Sequence, residues 1–181
     1  MTGARGLQHY LRRGGVIAYP TESCFGLGCD PRNPRAVQRL LRIKGRPERK
    51  GLILIASKFS QLKPYLAPLT PAQITQLHSK WPGPHTWLIP ASHNCPLWLT
   101  GRHSTIAVRV TAHPPTVRLC RETNMALVST SANRSGQKAA RTAKECSQLF
   151  GNKVRVIAGR IGKRRKPSTI QDLATGKILR P

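Results

Sequence analysis

Short apolar runs alternating with stretches of helical periodicity constrain the fold of this chain more than any other feature. Val16 to Tyr19, Leu52 to Ala56, Thr86 to Ile89, Ile106 to Val110 and Ala126 to Ser129 have the length and composition of strands. Leu7, Tyr10 and Leu11 are helix-spaced, and Gly14-Gly15 stops that helix. Asn33 and Pro34 supply an N-cap and a first-turn proline for a helix carrying Ala36, Val37, Leu40 and Leu41 on one face. Thr70-Pro71 opens a short helix that ends before the Trp81-Pro82-Gly83-Pro84 turn, and Pro114 to Glu122 reads as another. Thr142 and Glu145 have capping-box spacing for a helix ending near Phe150. Val154 to Ala158, Ser168 to Leu173 and Lys177 to Arg180 are the last strands, the final two joined through Ala174-Thr175-Gly176. Pro20 to Gly28 reads as a Thr/Ser/Gly loop and Lys44 to Lys50 as a basic loop. The interleaving is α/β, and several links are too short for parallel crossovers, which predicts a twisted mixed sheet flanked by helices. With 181 residues and neither repeat nor linker, one domain over 1–181 is expected.

Charge narrows the function. Lys and Arg number 31 against 6 Asp and Glu, a formal +25, while 39% of residues are hydrophobic and can build a core. A folded protein of this charge favours polyanions, nucleic acid or nucleotide phosphates first, and membrane surface only weakly. So few carboxylates leave little scope for a dedicated Mg2+ or Ca2+ cage, so any divalent ion is expected to arrive on a phosphate ligand. The stretch Met1 to Arg13 lacks the apolar run of a signal peptide and no segment is long enough to span a membrane, so a cytoplasmic location is expected. Five scattered cysteines without a C-x-x-C pair fit reduced packing thiols, with Cys24 in its Gly-rich loop the one candidate for reactivity. The six histidines show no zinc spacing.

Neither G-x-x-x-x-G-K-[ST], G-x-G-x-x-G nor G-x-S-x-G occurs, so phosphates must be held in another way and a serine hydrolase has little support. Ligands of open α/β sheets collect in loops at strand ends, and four segments there carry chemistry. Pro20-Thr21-Glu22-Ser23 offers a hydroxyl and a rare acid. Lys44-Gly45-Arg46-Pro47 with Lys50 packs three cations into one connection, although a solvated charge run would look the same. In Thr105 to Arg109, alternation puts Thr105, Ala107 and Arg109 on one face. Ser129-Thr130-Ser131-Ala132-Asn133 is a run of small hydroxyl and amide side chains able to approach a ligand closely, or to form an ordinary turn. Together they supply cations for phosphate, a guanidinium for a carboxylate and neutral donors.

In order along the chain these segments resemble the YrdC/TsaC family, the threonylcarbamoyl-AMP synthases of tRNA modification. The resemblance rests on V-I-A-Y-P-T-E-S-C-F-G-L-G-C-D at 16–30, K-G-R-P at 44–47, K-G-L-I-L-I-A at 50–56, W-P-G-P at 81–84, L-T-G-R at 99–102, A-V-R-V at 107–110, V-S-T-S-A-N-R-S-G at 128–136, P-S-T-I-Q-D at 167–172 and I-L-R-P at 178–181. It implies an enzyme, a nucleotidyltransferase, joining L-threonine, bicarbonate and ATP into threonylcarbamoyl-AMP and pyrophosphate for t6A modification, on a YrdC-like sheet with a basic concave face. Threonine would lie among Thr21, the Ile55 region, Arg109, Ser131 and Ser168. ATP would meet Lys44, Arg46, Lys50, Thr105, Asn133, Arg141 and Arg180, with Lys44 and Arg46 carrying the catalysis and Mg2+ brought by ATP rather than by a protein metal site.

The resemblance also implies downstream t6A transfer proteins as partners. G-K-R-R-K at 162–166 and the arginines at 32, 35, 39 and 42 exceed what a nucleotide requires and point to tRNA or other RNA. Two departures stand out. Ser23 replaces a frequent Thr and keeps the hydroxyl; Gly51 replaces a frequent Pro after Lys50, an exchange expected to loosen that loop. The C-terminal domain of longer relatives is expected to be missing. A competing reading is an RNA-binding ribosome-maturation factor without catalysis, favoured by charge but not by Thr21, Arg109 and Ser168 in concert. A carbamoyltransferase maturation factor is disfavoured because zinc-finger cysteines and an acylphosphatase-like portion are absent.

Overall fold

The computed structural model describes Gly3–Pro181; Met1 and the residue after it, the start of the Met1 to Arg13 stretch, lie outside the described residues. The helices are α1 (Ala4–Arg12), α2 (Pro34–Lys44), α3 (Pro71–His78), α4 (Leu97–Thr100), α5 (Pro114–Glu122) and α6 (Ala143–Phe150). The strands are β1 (Ile17–Pro20), β2 (Phe25–Gly28), β3 (Ile53–Ala56), β4 (His85–Pro90), β5 (Thr105–Val110), β6 (Leu127–Ser131), β7 (Arg155–Val156), β8 (Thr169–Asp172) and β9 (Ile178–Arg180). Among the described residues they form one sheet in the order β7-β1-β2-β6-β3-β5-β4-β8-β9. Pairs β1–β7, β3–β5 and β4–β8 are parallel and the rest antiparallel, the mixed sheet the short links require. No helix of the described residues is long and apolar enough to cross a membrane.

Local signals set several boundaries. Asn33 accepts from the Ala36 amide at the start of α2, and Gly45 closes the helix in the left-handed region, so Lys44 sits on its last turn. At α6 Thr142 accepts from the Glu145 amide, but the Glu145 carboxylate accepts from the Arg141 amide, one residue upstream of the reciprocal capping contact. The segment 20–28, which reads as a loop, instead contains β2. Its glycines hide a strand: a Cβ on Gly28 would lie 2.7 Å from the Tyr19 ring and 2.6 Å from the Val128 carbonyl. Phe25 and Leu27 alternate with these glycines and enter the core. β7 is shorter than its apolar run suggests, because the chain leaves the sheet beyond Ile157.

Alternation divides the sheet into two faces. Ala18, Phe25, Leu27, Leu54, Ala56, Val108, Val128, Trp87 and Ile89 point to the larger core, where Val37, Leu40, Leu41, Leu77 and Cys146 from α2, α3 and α6 meet them. The opposite face carries a smaller cluster, in which Leu11 of α1 and Leu119 and Cys120 of α5 cover Ile17, Tyr19, Ile55 and Leu127. These two helices are short and cover only one end of that face. The remainder, where register aligns Ser129, Ile53, Ala107 and Leu88 across β6, β3, β5 and β4, stays open.

Candidate active site

The open part of the face is the floor of a cavity of about 580 Å3. Thr21, Lys44, Arg46, Lys50, Thr105, Arg109, Ser131, Asn133, Ser168 and Arg180 all line it. Of the residues assigned to threonine or ATP from the sequence, Ile55 and Arg141 do not. Ile55 shares the cavity-facing side of β3, but it is fully buried where α5 covers the sheet, and Cys120 Sγ donates to its carbonyl. Its strand neighbour Ile53 reaches the cavity instead. Arg141 is exposed outside the lining and donates through Nη1 to the Ser23 carbonyl at 3.3 Å, touching the rim only through that loop.

The cationic end is built from α2 and the following turn. Lys44 Nζ lies 2.6 Å from both the Ser131 carbonyl and Asn133 Oδ1, with the Asn133 carbonyl and Ser131 Oγ at 3.2 and 3.3 Å. These oxygens fix the ammonium at the end of β6. Burial, and then the charge of Arg46, pull Lys44 down to about 8. Arg46 folds over its own turn, its Nε and Nη2 donating to the Gly51 carbonyl and Nη2 also to that of Lys50. Burial lowers its pKa as well. The turn is tight rather than loose: Gly51 has φ 61°, closed to proline, and Leu52 N donates to the Leu99 carbonyl at 2.8 Å.

The other end joins hydroxyls to two guanidiniums. Arg109 Nη2 is 3.3 Å from Glu22 Oε2, both side chains nearly buried, while Thr111 Oγ1 donates to Glu22 Oε1 at 2.7 Å. Arg109 Nε is buried and has no acceptor in the protein, a donor left unpaired behind the cavity wall. Thr21 Oγ1 donates to the Cys24 carbonyl at 2.7 Å, which leaves that oxygen its lone pairs. Arg180 holds Ser168, donating from Nε to its carbonyl at 2.8 Å and from Nη2 to its Oγ at 3.0 Å, and Thr86 Oγ1 shares a hydrogen bond with the same hydroxyl. Burial and the nearby Arg109 charge lower Arg180.

Burial raises the Cys24 thiol, outweighing the Ser23 hydroxyl and the surrounding cations, so it lines the cavity as a protonated thiol. Glu22, which the sequence marks only as a rare acid, proves to be the partner of Arg109, and His103 lines the cavity without having stood out in the sequence. The partner of Glu22 is distant in sequence and invisible to spacing, whereas His103 follows the L-T-G-R motif directly.

The family model for Sua5/YciO/YrdC, described as "Telomere recombination", matches residues 9–181. The chain belongs to this family. A relative from Methylobacillus flagellatus, named threonylcarbamoyl-AMP synthase, is 65% identical over 178 residues, 98% of this chain and 99% of its own. A second of the same name from Thiobacillus denitrificans is 59% identical over 175 residues, covering 97% of this chain and 93% of its own. P. abyssi Sua5, solved in complex with L-threonine, superposes with a TM-score of 0.90 at 31% identity, covering 98% of this chain and 53% of that one. The chain therefore spans about half the length of the P. abyssi protein.

Proposed function

We propose that this chain is a threonylcarbamoyl-AMP synthase, a nucleotidyltransferase acting on L-threonine, bicarbonate and ATP for tRNA t6A modification. The observation that carries the reading is convergence on one cavity of the Lys44–Arg46–Lys50 cations and of Arg109 with its unengaged buried Nε. Relatives named for this activity align along nearly the whole chain, and a structural neighbour binds L-threonine.

The chemistry asks for positioning and charge rather than a strong base. The threonine amine and bicarbonate give an N-carboxy anion and water. One of its oxygens attacks the α-phosphorus, forming the new P–O bond while the bond to the bridging oxygen breaks and pyrophosphate departs. Arg109, held by Glu22, receives the threonine carboxylate, and the lone pairs of Thr21 Oγ1 accept from its amine. Lys44, Arg46 and Lys50 offset charge on the triphosphate and on the leaving pyrophosphate. Pinned by Arg180, Ser168 closes the threonine end. Around the cavity Glu22 is committed to Arg109 and Thr111, and Glu48 accepts from Gln38. That donor set does not suit a protein-held Mg2+, so the ion enters as part of the ATP substrate. The test is pyrophosphate release from ATP, expected only with threonine and bicarbonate together. Release that ignores either co-substrate would refute the reading.

A further inference from the structure

Beside the main cavity lies a second depression of about 410 Å3, lined by Arg46, Arg49, Lys50, Arg102 and His103. Arg46, Lys50 and His103 belong to both, so the two spaces adjoin. Every lining residue is basic. The three ion pairs of the described residues involve none of them, and Glu48, the acid of the same turn, accepts from Gln38 on α2. Backbone packing forces this crowding. Arg102 N donates to the Arg49 carbonyl, and a Cβ on Gly101 would lie 2.6 Å from that oxygen, so only glycine lets the Thr100–His103 turn press on the Arg49 turn. Arg49 and Arg102 are thereby held side by side although like charges repel. Their side chains are exposed and free for a ligand. Arg102 also ends the L-T-G-R motif, to which the synthase reading gives no task.

We infer that this annex is a diphosphate seat, in which Arg49 and Arg102 receive the β- and γ-phosphates of ATP and the pyrophosphate they become. The inference deepens the synthase reading and rests on it for the identity of the polyphosphate. Lys44 and Arg46 bind at the reacting end, and the annex extends the cation series outward from Arg46 and Lys50, giving the leaving group a charged path to solvent. Guanidiniums suit this task because their planar forks pair with phosphate oxygens.

Calorimetric titration of the full chain with AMP, ATP and inorganic pyrophosphate tests it without turnover. In Arg49→Ala and Arg102→Ala, ATP and pyrophosphate are expected to bind at least about tenfold more weakly, with AMP changed less than about twofold. Arg102→Lys should recover part of the loss, as a folding defect would not. Loss for pyrophosphate alone assigns the seat to the departing product, loss for ATP alone to the bound triphosphate, and either supports the site. Unchanged pyrophosphate and ATP affinity in the double variant, or AMP weakened as much as ATP, would overturn it, as would a parent chain that binds no pyrophosphate. Failure of the synthase assay alongside intact, Arg102-dependent diphosphate binding would instead count against the reaction and not the seat.

Discussion

At the scale of single residues, Lys44 carries the sharpest expectation. Burial and Arg46 lower its ammonium from 10.5 to about 8. Below about pH 8 folded and unfolded chains both hold the proton, and the penalty for burying the charge is fully present. Between about 8 and 10.5 the folded chain releases the proton first and the penalty is progressively relieved. Binding behaves oppositely, because a triphosphate needs the cation. ATP affinity is expected to fall above about pH 8, approaching about tenfold per pH unit, and the Lys44→Arg variant should flatten that slope because a guanidinium stays charged. Dissociation constants between pH 7 and 9.5 decide it, and parallel slopes for the two proteins would count against Lys44. Ile55 makes the contrasting case. Sealed under α5, it should act through packing alone, so Ile55→Val is expected to lose about 1 kcal/mol in urea unfolding while leaving the threonine KM unchanged. A raised KM with unaltered stability would return Ile55 to the threonine site.

Elements put these residues in place, and how far that was readable depended on the range of the signal. Asn33, Pro34 and Gly45 announce α2 locally, so the position of Lys44 follows from short-range chemistry. Alternation along β5 put Thr105, Ala107 and Arg109 on one face, and all three line the cavity. Strand β2 is hidden in the sequence because its glycines make room for Tyr19, a packing demand that composition presents as a loop. The Glu22–Arg109 pair and the burial of Ile55 arise only when distant segments stack, which no spacing rule encodes. The two basic turns offer an element-scale test. Gly101 has φ 63° and a blocked Cβ position, so Gly101→Ala should destabilise the fold by about 1–3 kcal/mol and raise the ATP KM, leaving the threonine KM within about twofold. Denaturant unfolding and steady-state kinetics measure both. An alanine variant with unchanged stability would show that the turns can part without strain.

Across the whole molecule, attraction between charges contributes little to hold the fold. Only Asp30, Glu22 and Glu122 form ion pairs among the described residues, whereas the chain carries 31 Lys and Arg against 6 Asp and Glu. The cavity concentrates this excess, since Lys44, Arg46, Lys50, Arg109 and Arg180 all face it, and burial works against Lys44, Arg46 and Arg180. The free protein therefore bears a repulsion that screening or a bound polyanion relieves. Thermal unfolding is expected to shift upward by several degrees, roughly 3–8 °C, as NaCl rises from about 10 to about 150 mM. Removing Arg49 and Arg102 together subtracts only two of the 31 cations, so a rise caused by general screening should survive in that double variant. A rise that disappears would mean that anions stabilise the protein by occupying the annex, and a melting temperature indifferent to salt in both proteins would show that the surplus charge is too dispersed to burden the fold.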